Sequence, residues 1–180
     1  ARRLQRLSRD ILDVSKIESS LLKLSKTSFE LNDKIKTVLN DIEHGNDYEG
    51  NNNKILFEST ELITVFADRD RIYQVLTNLL NNALKFTKNG TITVNTSLNN
   101  STNNHDKEVI VTIVDTGIGI PPEIVPKLFS KFVTTSNQGT GLGLFISKGI
   151  IEAHGGRIWA ENNSDGVGAR ISFSLPITEP

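Results

Sequence analysis

Two glycine-rich clusters stand close together in this chain, and each is joined to regular structure on one side. Asp115-Thr116-Gly117-Ile118-Gly119-Ile120 closes an apolar run over residues 109–114 that reads as a buried strand. Gly139-Thr140-Gly141-Leu142-Gly143-Leu144 flows into a periodic segment, residues 145–153, that reads as a helix. A strand that delivers a carboxylate into a glycine turn, and a glycine loop that opens a helix, together predict a nucleotide site. The carboxylate can read a base, and loop amides at a helix N-terminus can hold phosphates. Gly117 and Gly119 let the backbone approach a flat ligand where a Cβ would collide.

From Asp68 the sequence predicts a helix with Ile72, Val75, Leu76, Leu79, Leu80 and Ala83 on one face. Asn78, Asn82 and Lys85 follow at i, i+4 and i+7, so they form one polar stripe beside that face. Carboxamide oxygens are hard ligands suited to Mg2+, and an ammonium can offset phosphate charge. The chain holds 18 asparagines in 180 residues, so the stripe also reads as a solvated helix face. Asp115 likewise reads as a strand-ending turn residue. The second glycine cluster fits neither common phosphate loop. Leu142-Gly143-Leu144 stands where a Walker loop needs Gly-Lys-Ser/Thr, and a polar segment, not the first strand of a βαβ unit, precedes it. What is left is a flap whose amides, with the dipole of the next helix, clasp phosphates.

At the N-terminus Leu4, Leu7, Ile11, Val14, Ile17 and Leu21 recur in three- and four-residue steps, which predicts an amphipathic helix over residues 3–26. Its length and its place outside the later alternation favour half of a helical hairpin or coiled coil over a helix packed on its own domain. A short strand (27–31) and a helix capped by Asn32 (33–44) come next. Strands follow at 54–60 and 63–67, then the helix from Asp68, then strands at 91–98 and 108–115. Pro121 and Pro122 start a short helix, and strands near 156–162 and 167–175 close the chain. Polar loops occupy 45–53 and 99–107. The sum is an α+β fold: a two-layer α/β sandwich with a mixed, mostly antiparallel sheet and helices on one face, preceded by the long helix. The division is 1–26 and 27–180.

A formal net charge of −1 gives no electrostatic case for nucleic acid, and the absence of cysteine excludes disulfides, thiolate metal sites and cysteine nucleophiles. No apolar run approaches the ~20 residues of a membrane span.

Asn78-Leu79-Leu80-Asn81-Asn82-Ala83-Leu84-Lys85-Phe86 resembles the N box of sensor histidine kinases. Asp115 to Gly119, Phe129-Ser130-Lys131-Phe132 and Gly139 to Gly143 resemble their first glycine box, F box and second glycine box, in the family's order. His154-Gly155-Gly156-Arg157-Ile158 and a closing Ser174-Leu175-Pro176 also match, so the likeness covers 27–176. Residues 3–26 resemble the second helix of the dimerisation and phosphoacceptor hairpin. The resemblance implies the Bergerat ATP-binding fold, with ATP and Mg2+ as cofactors. Asp115 would read adenine, with Gly117, Gly119 and Ile120 shaping its pocket. Asn82 would coordinate Mg2+ with support from Asn78. Lys85 would contact phosphate, and Phe86 would lie near the nucleoside. Gly139, Thr140, Gly141, Leu142, Gly143 and Leu144 would close over the phosphates, with Phe129 and Phe132 anchoring the near end and Lys131 a further phosphate candidate. The implied partners are a phosphoacceptor-histidine helix, a response regulator and a second copy in a full-length homodimer. The implied location is cytoplasmic, alone or as part of a membrane-anchored receptor.

ATP-hydrolysing relatives carry a glutamate four residues before the metal asparagine, where this chain has Asn78. The site therefore suits presenting the γ-phosphate to an outside nucleophile. His44 precedes a loop, His105 lies in a hairpin tip and His154 ends a helix. None of these settings suits a phosphoacceptor, which is expected upstream of Ala1. The alternative function is a non-catalytic nucleotide-binding regulatory module of the same fold.

Overall fold

Alternation along the central strands decides which side chains meet the helices. The computed structural model describes residues 2–45, 52–59, 61–99, 107–134 and 139–177. Its elements run α1 (Arg2–Glu18), β1 (Lys26–Glu30), α2 (Leu31–Glu43), β2 (Lys54–Ser59), β3 (Thr64–Asp68), α3 (Arg69–Phe86), β4 (Thr91–Asn99), β5 (Glu108–Asp115), α4 (Gly143–Ala153), β6 (Ile158–Asn162) and β7 (Ala169–Pro176). Five strands form a sheet in the order β2-β4-β5-β7-β6, and β1 pairs with β3 separately. β2 and β4 run parallel, with α3 in the crossover between them. The other pairs are antiparallel.

Val109, Val111 and Ile113 of β5 are buried together with Ile92 and Val94 of β4 and Phe173 and Leu175 of β7. The same parity puts Asp115 on the helix-covered face. Above it, Ile72, Val75, Leu76, Leu79 and Leu80 of α3 are all at 0% exposure, each worth about 1.5–3 kcal/mol of burial. Asp68 starts α3 by accepting the Asp70 and Arg71 amides on Oδ1 at 3.2 and 3.1 Å. Its Oδ2 takes the Ser25 amide at 2.8 Å. No helix among the described residues is long and apolar enough to cross a membrane.

Several expectations are corrected. α1 ends at Glu18, eight residues short of 26, because Ser20 adopts φ 56°. The Ser20 amide then bonds to Ile17 O at 3.1 Å and the Leu21 amide to Lys16 O at 2.8 Å, a left-handed C-terminal turn. Leu21 leaves the apolar stripe and is 66% exposed.

α1 also divides along its length. Ile17 lies on Gly149 of α4, and Asp13 accepts from Arg71 Nη1 and Gln74 Nε2, each at 2.9 Å. Its last turns, with Asp13 and Ile17, thus pack on the rest of the chain, whereas Leu4, Ile11 and Leu12 stay exposed.

α2 is capped by Glu30, which accepts the Asp33 amide at 2.6 Å. Asn32 is buried instead and donates to Glu61 O. After Pro121 and Pro122 there is only a turn and one 3-10 turn, Val125–Lys127, since Pro126 lacks the amide a longer helix needs. The expected loop segments 46–51 and 100–106, with His105, lie outside the described residues.

Candidate functional site

β5 delivers Asp115 to the helix layer at its last residue, where the strand gives way to Gly117. The carboxylate is buried. Its Oδ1 accepts the Gly117 amide at 2.8 Å and the Ala169 amide at 3.4 Å. Burial pushes the carboxyl above the ordinary range, and those two amides oppose the shift. Oδ2 has no hydrogen bond within the protein among the described residues. Gly117 is required by close packing, since an added Cβ would lie 2.4 Å from Phe86 O.

Asp115 opens into a cavity of about 890 Å³ between α3, the two glycine clusters and the end of α2. Asn78, Asn82, Lys85 and Phe86 line it from α3; Gly119 and Ile120 line it from the first cluster; Gly139, Thr140, Gly141, Gly143 and Leu144 line it from the second. Asn78 Nδ2 donates to Gly143 O and Ser147 Oγ at 3.3 and 3.4 Å, tying α3 to α4 and leaving its Oδ1 uncommitted. Lys85 Nζ sits 5.2 Å from the Phe86 ring centroid. α4 begins at the cavity with Leu142 as N-cap and no side-chain cap, so its first amides and dipole face the opening.

Three expected residues stand apart from the lining. Gly117 supports Asp115 from behind. Leu142 is 1% exposed and belongs to the core. Lys131 pairs with Glu18 of α1. Phe132 anchors the near end of the second cluster through its backbone, not its ring. Its amide donates to Gly141 O at 2.9 Å, while the residue is 71% exposed. Residues 135–138, inside the expected flap, lie outside the described residues.

The donor set fits a hard cation held largely by ligand oxygens. Asn82 lines the cavity with no protein hydrogen bond among the described residues. Those residues contain no group of three His, Cys, Asp or Glu able to hold a metal. Mg2+ commonly takes one or two protein oxygens and completes its shell with water and phosphate.

Asn162, Asn163 and Gly168 were not foreseen. Asn163 Nδ2 donates to Asp115 O at 2.8 Å, and Asn162 bonds both backbone groups of Ile120. In sequence Asn162 and Gly168 read as parts of the last two strands and Asn163 as the turn between them. His44 and His154 are both helix C-caps. His154 is buried, with Nε2 accepting the Asp68 amide at 2.9 Å and Nδ1 against Ile150 O at 2.8 Å.

Residues 67–179 match the family model described as histidine kinase-, DNA gyrase B- and HSP90-like ATPase. The chain is 44% identical over 119 residues to the sensor protein FixL of Bradyrhizobium diazoefficiens, covering 64% of this chain and 22% of FixL. It resembles full-length ShkA, solved in complex with AMPPNP, with a TM-score of 0.83 and 27% identity, over 99% of this chain and 36% of that one. It also resembles histidine kinase ThkA, solved with the response regulator protein TrrA, with a TM-score of 0.73 and 35% identity, over 97% and 49% of the two chains. The chain spans about a fifth of the length of such curated relatives.

Proposed function

The chain belongs to the histidine kinase-, DNA gyrase B- and HSP90-like ATPase family, and on that premise we propose that it is the ATP-binding catalytic part of a two-component sensor histidine kinase. The observation that carries this reading is one cavity holding a buried carboxylate at one end and an uncapped helix N-terminus at the other. Asp115 Oδ2 would accept from the exocyclic amine of adenine. The first amides of α4, with Lys85, would meet the phosphates. Asn82 would hold Mg2+, with Asn78 Oδ1 toward its water. The ion would neutralise charge on the transferring phosphoryl group. Lys131, committed to Glu18, has no part in this proposal.

In the transfer an imidazole nitrogen attacks the γ-phosphorus and the bond from that phosphorus to the β,γ-bridging oxygen breaks. ADP leaves with the electron pair, and the imidazole proton passes to solvent. Asn78 supplies no carboxylate to activate water, which favours an outside nucleophile over hydrolysis. The division at residue 26 and the partners belong to the same proposal: a histidine-bearing helix, a second copy and a response regulator, the last by analogy with ThkA and TrrA. So does work in the cytoplasm, where ATP is found.

Titration calorimetry with Mg·ATP tests the reading. The chain is expected to bind, and Asp115→Asn to lose at least about tenfold in affinity. Equal binding by the two proteins overturns it. Incubated alone with γ-labelled ATP, the chain is expected to gain no acid-labile label.

A further inference from the structure

The hairpin between β6 and β7 grips both ends of the first glycine cluster. At one end Asn163 Nδ2 donates to Asp115 O at 2.8 Å and to Val167 O at 2.6 Å. Gly168, at φ +79°, passes so close that an added Cβ would lie 1.9 Å from Asp115 O. At the other end Asn162 Oδ1 accepts the Ile120 amide at 2.7 Å, and Asn162 Nδ2 donates to Ile120 O at 2.9 Å. One carboxamide thereby satisfies both backbone groups of a single residue. Gly119, at φ +75°, fits beneath it, with Asn162 Oδ1 3.0 Å from where a Cβ would stand.

The grip completes a set of bonds that the rest of the site begins, and the set has a chemical consequence. The amides of Thr116, Gly117 and Ile118 are taken by Thr91 O, Asp115 Oδ1 and Phe86 O. Asn162 takes that of Ile120. Four donors that could serve a ring nitrogen or a 6-oxo group are thus consumed inside the protein. Asp115 Oδ2, an acceptor, is left to read the base, together with the Gly119 amide, which has no protein partner among the described residues. Without Asn162 the Ile120 amide becomes a free donor and Ile120 loses its fixed position.

We propose that Asn162 and Asn163 are positioning residues for base recognition, and that the Asn162 clamp on Ile120 sets the preference for a 6-amino purine. This rests on the nucleotide reading above and adds the residues that make it selective. A purely structural hairpin would lower stability, or lower affinity for every nucleotide alike.

The test compares Mg·ATP with the Mg complex of purine riboside 5′-triphosphate, which lacks the 6-amino group. Affinities and nucleotide-free melting temperatures are measured for the wild type, Asn162→Ala, Asn162→Ser and Asp115→Asn. The wild type is expected to prefer ATP by about tenfold or more, and Asp115→Asn to bring the ratio near one. Asn162→Ala should weaken ATP by about fivefold while changing the purine riboside complex by less than about twofold. Asn162→Ser can keep one of the two bonds and should fall between; it decides the matter where Asn162→Ala does not fold. An Asn162 variant that weakens both nucleotides equally, or neither, overturns the positioning role and leaves the nucleotide reading intact. A wild type without preference, or an Asp115→Asn that retains it, overturns the base contact itself and the positioning role with it.

Discussion

The two glycine clusters line one cavity but are built in opposite ways. In the first, the amides of 116, 117, 118 and 120 have protein partners, and the β6–β7 hairpin braces both ends. In the second, the described residues are joined to their surroundings at few points. The Phe132 amide meets Gly141 O, Leu142 is sunk in the core, and Asn78 reaches Gly143 O. The helix that follows has no side-chain cap. Glycine serves close packing in one cluster and open amides in the other. A base is flat and chemically uniform, so a fixed pocket can match it. Phosphates need donors that can adjust, and unsatisfied helix amides are such donors.

Removing the rigidity of the first cluster should have the largest effect. Gly168→Ala places a Cβ 1.9 Å from Asp115 O at φ +79°, and the obstacle is backbone, so no rotamer relieves it. A loss of about 3 kcal/mol or more is expected. It would be read from the urea midpoint at unchanged slope. A Gly168→Ala protein within about 0.5 kcal/mol of wild type would mean that the hairpin does not brace the cluster.

Asp115→Asn separates function from stability at the same place. The amide can still accept the Gly117 N–H on its oxygen, but its NH2 group would face the adenine amine, donor against donor. Affinity for Mg·ATP should fall by about 1.5–3 kcal/mol. The fold responds with the other sign. Burial raises the Asp115 pKa in the folded chain above its unfolded value, so the ionised carboxylate costs stability at neutral pH. That cost fades as pH falls through the raised pKa toward the usual carboxylate range. Asp115→Asn should therefore be at least as stable as wild type at pH 7, with the margin closing on acidification. Urea midpoints across that range check it.

The sequence made the sheet and α3 readable because their signals are local. Ile72 through Ala83 repeat with helical period, and the apolar run over residues 109–114 bounded by a glycine turn reads as a strand, although the face on which Asp115 stands shows only in the alternating burial of β5. Strand boundaries moved by only one or two residues. The misreadings share another cause. Asn32 looked like a cap, but Glu30 took that role once β3 brought the Ile63 amide to its other oxygen at 2.9 Å. Leu21 kept helical spacing past the point where Ser19 and Ser20 had already turned the chain. Asn162, Asn163 and Gly168 gained meaning only when β7 paired with β5 and carried the hairpin over Asp115. Long-range pairing is what a pattern within one segment does not contain.

His154 joins α3 and α4, the two helices that Asn78 also ties together. Its Nε2 accepts the amide of Asp68, the α3 cap, and its Nδ1–H donates to Ile150 O of α4. The Nε2 bond requires a neutral ring, since a protonated Nε2 has no lone pair to accept the Asp68 amide, whereas the Nδ1–H bond does not. Burial lowers the His154 pKa below the ordinary value of 6.5, so its contribution is fully present above about pH 6.5 and is lost as pH falls through the lower, folded value. His154→Gln should therefore cost stability at pH 7, and the gap to wild type should narrow at pH 5. A gap that is constant or widens on acidification would show that the ring's protonation does not bear on the α3–α4 joint.

The smallest effect belongs to the loose end of the comparison. Gly143 opens α4, and the nearest atoms to a Cβ there would be those of the Asn78 carboxamide at 3.6–3.7 Å, an ordinary contact. Helix entry favours alanine, so Gly143→Ala should stabilise the chain by about 0.4–1 kcal/mol, the reverse of Gly168→Ala. The same methyl stands at the cavity edge, beside amides assigned to phosphate, and should weaken Mg·ATP by about threefold. A protein that gains stability and binds less well would show that glycine at 143 is kept for the ligand and glycine at 168 for the fold. Unchanged binding with the gain in stability would remove the phosphate argument for Gly143, and with it the contrast at this end of the cavity.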